Sequence, residues 1–278
     1  MRKLLAALTI ALSAAVMVAP PAPAEPGIQP AGAVDLPQGP AQAWLLADLG
    51  NGRILASRNP YEPHAPASTI KALLAMVVLD QLPLNAVITA TPANTDVECS
   101  CVGVKAGRAY TVRQLLDGVM LVSGNDAANT LAQGLGGYQT AVARMNAKAA
   151  ALGARNTHAS SPSGLDGPGM ESVTTPFDLA IIYRAALGYP AFAAIVRQPS
   201  SLFPTDDGPK QIDNQNQLLK RYPGTLVGKT GYTDLAQHTF VGAAQRNGHS
   251  LVVVQMHGDG DMYGQAIGLL DWGFSQYR

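Results

Sequence analysis

Ser68 and Lys71 stand three residues apart in Pro66-Ala67-Ser68-Thr69-Ile70-Lys71, just ahead of the apolar run Ala72-Leu73-Leu74-Ala75-Met76-Val77-Val78-Leu79. A serine hydroxyl is a poor nucleophile at neutral pH and needs a base within about 3 Å. On a helix, positions i and i+3 share a face, so a helix from about Thr69 to Leu79 sets the Lys71 amine beside the Ser68 hydroxyl. An ammonium on a helix that is apolar nearly all round is poorly solvated, which lowers its pKa and favours the free amine that accepts the serine proton. The helix N-terminus favours negative charge and so helps an oxyanion developing near the Ser68 N–H. Two later stretches carry matching chemistry, Ser123-Gly124-Asn125 and Gly228-Lys229-Thr230-Gly231-Tyr232-Thr233. Read singly, each has a plain alternative: Ser68 as a helix N-cap, Ser123-Gly124-Asn125 as an interhelical loop. Their order and wide spacing are what join them into one serine acyl-transfer site.

The surrounding pattern supplies elements to hold these groups. Gln42–Leu49 reads as a strand, Gly50-Asn51-Gly52 as a turn and Arg53–Arg58 as the returning strand, a hairpin that precedes the Ser68 helix. Thr111–Val122 has helical periodicity on Val112, Leu115, Leu116, Val119 and Met120, with Thr111 as its cap. Ser123-Gly124-Asn125 then falls on a short loop facing out of a helical lobe, before helices that start near Asp126 and at Tyr138. A hydroxyl there can relay a proton to a leaving amine, and the Asn125 amide can bind substrate. Ser160–Val173 is a polar, glycine-rich loop of the length that often carries function, and Thr175–Leu187 is a helix with Pro176 in its first turn. Tyr189–Leu219 supports no firm assignment. Leu226–Thr233 reads as an edge strand, with Lys229 and Thr230 polar where a core strand is apolar. Gly228 and Gly231 let a ligand backbone approach closely, and strand N–H groups can stabilise an oxyanion. Asn247-Gly248 joins two apolar strands in a hairpin, and Tyr263–Tyr277 is a closing helix. Helices on an antiparallel sheet plus a helical lobe make an α+β protein.

Residues 1–24 have the form of a secretory signal: Arg2 and Lys3, an apolar stretch from Leu4 to Ala19, then Ala22-Pro23-Ala24. The run is short for a membrane span, although retention as an anchor is the alternative. No cysteine follows it to take a lipid. Residues 25–40 are rich in Pro, Gly and Ala and read as a linker. Residues 41–278 are then one catalytic domain, with a helical lobe inserted at about 82–190. The expected mature chain is exported to the periplasmic or cell-wall space, or secreted. The whole chain balances 19 basic against 19 acidic residues with no basic stripe, which argues against nucleic acid as a partner. Cys99 and Cys101 flank Ser100, and spacing leaves a tight disulfide and two free thiols equally open. Two thiols without matching histidines do not suggest a metal site. His64, His158, His238, His249 and His257 are scattered and read as ordinary loop or surface residues. No metal or cofactor is expected.

The set Ser68-Thr69-Ile70-Lys71, Ser123-Gly124-Asn125-Asp126-Ala127-Ala128, Pro162-Ser163-Gly164-Leu165-Asp166 and Gly228-Lys229-Thr230-Gly231-Tyr232-Thr233 resembles the penicillin-binding serine transferases, more narrowly the low-molecular-mass D-alanyl-D-alanine carboxypeptidases. The resemblance implies a β-lactamase/transpeptidase-like fold with a five-stranded antiparallel sheet and helices on both faces. It implies that Ser68 attacks the penultimate D-alanine carbonyl, Lys71 is the base, and Ser123 and Lys229 protonate the departing D-alanine. It makes Asn125, Thr230, Gly231 and Tyr232 substrate-binding: Asn125 on the peptide amide, Thr230 on the terminal carboxylate, the N–H groups of Ser68 and Tyr232 as the oxyanion hole. The implied partners are peptidoglycan stem peptides ending in D-Ala-D-Ala, and β-lactams as covalent inhibitors. Ile70 departs from the small or polar residue common before the lysine, a change that packing can absorb. The sequence stops soon after the closing helix, so no stable membrane anchor is expected.

Three rivals share the site. A serine β-lactamase needs a carboxylate and bound water for deacylation, and Glu171, the one glutamate between Asn125 and Lys229, lacks the Glu-x-x-Leu-Asn setting. A D-alanyl endopeptidase differs only in how open the cleft is. A catalytically silent cell-wall peptide binder would not need every polar member of the motifs.

Overall fold

The alternation of apolar side chains along β1 (Ala43–Asp48) sends Ala43, Leu45 and Ala47 into one core and Trp44 and Leu46 into another. A strand buried on both faces must lie inside a two-sided layer. The computed structural model, which describes residues 35–37, 39 and 41–277, shows that layer. Residues 1–24 and most of 25–40, read above as signal and linker, lie outside the described residues.

β1 pairs with β2 (Ile54–Arg58) around the expected turn, where the Asp48 carboxylate accepts from the N–H groups of Gly50 and Asn51. The chain then makes a single 3-10 turn (Ala67–Ile70) and enters α1 (Lys71–Gln81). The helix expected from Thr69 therefore begins in tighter 3-10 geometry. There the Ser68 side chain does not cap. Next come β3 (Val87–Thr89), α2 (Pro92–Thr95), β4 (Ala109–Thr111), α3 (Val112–Val122), α4 (Asn125–Gly134) and α5 (Tyr138–Leu152). Thr111 caps α3 through a reciprocal box with Gln114. After the loop over 160–173 come α6 (Pro176–Leu187) and α7 (Pro190–Arg197). The stretch without a sequence assignment also holds a hairpin of β5 (Ser200–Thr205) and β6 (Gly208–Asp213), and the short α8 (Leu218–Arg221). β7 (Thr225–Thr233), β8 (Gln237–Arg246), β9 (His249–Gly258) and α9 (Met262–Ser275) close the chain.

The main sheet has the order β2-β1-β9-β8-β7, antiparallel throughout. One face meets α9, where Leu46, Phe240, Leu251 and Val253 pack with Leu269, Leu270 and Phe274. The other meets α6 and α7, where Leu45, Val241 and Val252 share a core with Ile182 and Val196. Each such side chain, fully buried, contributes roughly 1.5–3 kcal/mol relative to exposure. α1 is buried from Lys71 to Val78, as its all-apolar circumference demands, and Ile70 is buried with it. This is the α+β architecture expected, with five strands and helices on both faces. No single helix among the described residues is long and apolar enough to cross a membrane.

β7 is the edge strand, as read from its polar residues. An edge strand leaves a row of backbone groups unpaired, and here that row runs beside the 3-10 turn bearing Ser68. Two hydrogen bonds lock the turn in place: Thr239 on β8 donates to the Pro66 carbonyl at 2.9 Å, and the Tyr183 hydroxyl donates to the Thr69 carbonyl at 2.9 Å.

Candidate active site

The turn over Ala67–Ile70 directs Ser68 and Lys71 to one side, and the Lys71 Nζ lies 2.6 Å from Ser68 Oγ. The same amine lies 2.7 Å from Asn125 Oδ1 and 2.7 Å from the Ser163 carbonyl oxygen. A neutral amine has two N–H donors and one lone pair. Of its three neighbours, the amide and carbonyl oxygens only accept, whereas a hydroxyl can also donate. The free amine is therefore fully satisfied by donating to Asn125 and Ser163 while its lone pair receives the Ser68 O–H. Lys71 is fully buried, and its pKa is held well below the ordinary lysine value, first by burial and then by the charge of Lys229, with Asp126 pulling the other way.

Ser123 occupies a left-handed conformation, φ 63°, at the end of α3, which turns its hydroxyl toward β7. Asn125, read from sequence on the loop, is instead the first residue of α4 and is buried. Its Nδ2 donates to the Glu98 carbonyl at 2.7 Å, which orients Oδ1 toward Lys71. Lys229 reaches across from β7 to lie 3.0 Å from Ser123 Oγ and 2.6 Å from the Thr230 carbonyl. Burial lowers its pKa to about 7, so it can hold or release a proton near neutrality.

Gly231 lies against the nucleophile's backbone: a Cβ there would stand 2.7 Å from the Ser68 nitrogen and 2.5 Å from Thr239 Oγ1. Only glycine leaves the space in front of that N–H open. A cleft of about 520 Å³ runs over the site, lined by Ser68, Ser123, Thr230, Gly231 and Tyr232. Its walls continue with Ser100, Gln215, Gln217, His238, Asp261 and Tyr263. Thus the structure gathers Ser68, Lys71, Ser123, Asn125, Lys229, Thr230, Gly231 and Tyr232 around one cleft, although they come from three separate stretches of chain.

Sequence reasoning missed several contributors. The Ser163 carbonyl that binds Lys71 belongs to the loop marked as functional, but no pattern predicts which carbonyl faces inward. Gly164 shows why the loop can come so close: at φ +84°, its Cβ would stand 1.9 Å from the Ala67 oxygen. Thr233 donates to the Asp166 carboxylate at 2.6 Å, tying that loop to the end of β7. His238, taken as an ordinary histidine, lines the cleft with its ring 4.9 Å from that of Tyr232. Cys99 and Cys101 are joined in a disulfide, which settles the alternative left open by spacing. Glu171 is exposed and accepts from the Gly169 N–H of its own loop. It does not line the cleft, so it is not placed to deliver a deacylating water.

A family model described as D-alanyl-D-alanine carboxypeptidase matches residues 31–260. The D-alanyl-D-alanine carboxypeptidase DacB2 of Mycobacterium tuberculosis is 57% identical over 257 residues, covering 91% of this chain and 88% of the relative. A D-alanyl-D-alanine endopeptidase of Pseudomonas aeruginosa is 32% identical over 273 residues, covering 95% of this chain and 85% of the relative. Among solved structures, a Streptomyces DD-transpeptidase superposes with a TM-score of 0.81 at 29% identity, covering 87% of this chain and 100% of its own.

Proposed function

The chain belongs to the D-alanyl-D-alanine carboxypeptidase family of serine peptidases, and from that premise we propose that it removes the terminal D-alanine of peptidoglycan stem pentapeptides through an acyl-enzyme on Ser68. The observation that carries the assignment is the buried Lys71 amine 2.6 Å from Ser68 Oγ, with its remaining neighbours both pure acceptors.

Ser68 attacks the carbonyl of the penultimate D-alanine while its proton passes to Lys71. The backbone N–H groups of Ser68 and Tyr232 stabilise the oxyanion. Lys229, through Ser123, protonates the departing D-alanine amine, and Thr230 holds its carboxylate. Asn125 fixes Lys71 and offers its remaining N–H to the peptide. The proton taken up by Lys71 then passes to Lys229, which has lost one to the leaving amine, and the freed Lys71 amine serves again as base when water attacks the acyl group. A β-lactam presents a strained amide to the same serine. Its leaving group stays tethered after ring opening, so the acyl-enzyme persists. The charged start and apolar run of residues 1–24 support export, and the substrate lies outside the cytoplasmic membrane.

The test is incubation of the mature protein with a diacylated Lys-D-Ala-D-Ala tripeptide, followed by mass spectrometry, with a parallel sample containing penicillin. Release of one D-alanine, blocked by a long-lived penicillin adduct, is expected. An intact peptide beside rapidly hydrolysed penicillin would instead mean a β-lactamase, and neither reaction would mean a silent binder. Cleavage of cross-linked dimers at a comparable rate would move the assignment to an endopeptidase.

A further inference from the structure

The loop over residues 98–104 is built onto the second motif at every turn. The Glu98 carbonyl accepts from Asn125 Nδ2 at 2.7 Å, and the Ser100 carbonyl accepts from the Asn125 N–H at 2.7 Å. The Ser100 hydroxyl donates to the Val122 carbonyl at 3.2 Å, one residue before Ser123. The N–H groups of Val102, Gly103 and Val104 all donate to the Asp126 carboxylate, at 3.0, 2.9 and 2.8 Å. Cys99 and Cys101 close a ring around Ser100 with their Cα atoms 4.7 Å apart, and Ser100 itself lines the cleft beside Ser68 and Ser123.

We propose that the Cys99–Cys101 disulfide is a positioning group for acylation: it holds the Glu98 and Ser100 carbonyls in the one arrangement that pins Asn125 from side chain and backbone, and so aims the Asn125 oxygen at Lys71. The inference rests on the acyl-enzyme reading of Ser68. Its physical basis is the short ring. Glu98 and Ser100 are exposed, and an open exposed loop has several backbone states to choose from. Closing the chain between residues 99 and 101 removes most of them. The Asp126 contacts and the two hydrogen bonds of Ser100 anchor the loop from Ser100 onward, so the Glu98 carbonyl, two residues upstream, keeps its place through the ring and its single bond from Asn125 Nδ2. With the ring open, Asn125 can rotate its amide, Lys71 loses an acceptor, and water reaches the amine.

The native protein tests this without any substitution. An excess of a small dithiol gives the S–S bond two electrons and two protons, leaving two protein thiols and the oxidised dithiol. Thiol titration and intact mass establish the state. In the reduced protein the second-order rate of penicillin acylation should fall about tenfold, in line with the cost of small misplacements at reacting groups. The acid limb of its pH profile should move to higher pH as Lys71 gains water. Reoxidation should restore both. The double variant Cys99→Ser with Cys101→Ser should match the reduced protein in the absence of reductant. An unchanged rate and an unmoved limb, with both thiols free, would overturn the proposal. So would a slower rate that accompanies a lower melting temperature but leaves the limb in place, since that is loss of stability alone. If the oxidised parent is not acylated at all, the acyl-enzyme reading itself is wrong, and the inference falls with it.

Discussion

Lys229 opposes the protonation of Lys71: the two buried amines serve neighbouring serines, and the charge of one is a cause of the lowered pKa of the other. Two ammonium groups in one poorly solvated site repel strongly, so one proton is held between them more readily than two. Such a pair can contain a base and an acid at the same pH.

Replacing Lys229 with Met should therefore raise the pKa of Lys71. The reactive form is the free amine, its pKa is depressed, and the substitution removes one depressing charge. The acid limb of penicillin acylation should shift to higher pH. Rates of adduct formation across the pH range measure it, and a limb that stayed or moved down would reject the coupling.

Lys229 itself should give a descending limb. It donates only when protonated, and its pKa lies at about 7. Peptide turnover should decline as pH rises through that value. A thioester substrate, whose thiolate leaves without a proton, should show no such decline. Parallel pH profiles on the two substrates check this, and identical profiles would remove Lys229 from leaving-group protonation.

Ser68→Ala should abolish both peptide hydrolysis and the covalent penicillin adduct, while Lys71→Ala should retain reversible substrate binding and lose about 10²–10⁴-fold in acylation, the range for a general base. Intact mass after penicillin treatment reads the first, and stopped-flow acylation beside equilibrium binding reads the second. A surviving adduct on Ser68→Ala would mean another nucleophile.

Thr230→Val keeps the shape and removes the hydroxyl. It should reduce kcat/KM for carboxylate-ended peptides well beyond its effect on a neutral-ended ester. The ratio of the two losses is the measurement, and equal losses would take the carboxylate away from Thr230.

Gly164→Ala should cost about 2–4 kcal/mol of stability, from a positive φ that alanine resists and a Cβ driven into backbone. The added carbon would stand 1.9 Å from the Ala67 oxygen, so the loop or the Ser68 turn must shift. Denaturant unfolding measures the loss, and acylation should slow with it. A variant as stable as the parent would contradict the close approach.

Much of the fold was legible because its signals are local. α5 starts at Tyr138 as the sequence suggests, flanked by Gly137 and Gly153, Asn247-Gly248 turns β8 into β9, and Thr111 caps α3. Where local signals are weak, the sequence supports no assignment. The β5–β6 hairpin of Ser200–Asp213 contains prolines and polar residues, and its strands are defined by pairing with each other rather than by alternation. Ser123-Gly124-Asn125 reads as one interhelical loop because Ser, Gly and Asn favour turns over helix interiors. The left-handed turn at Ser123 instead lets α4 start at once.

The residue types and their spacing determined by themselves that Ser68 and Lys71 share a face, that β7 carries polar groups at an edge, and that three motifs belong to one acyl-transfer chemistry. The first two follow from helix and strand periodicity, which acts over a few residues, and the third from the order and wide spacing of the motifs. Tertiary structure alone decided that Lys229 reaches Ser123 across 106 positions of sequence, that the Ser163 carbonyl completes the Lys71 site, and that Cys99 and Cys101 close over Asn125. It also decided the proton affinities. A lysine's pKa depends on how much water and charge surround it, and that environment exists only once distant segments have packed around the amine.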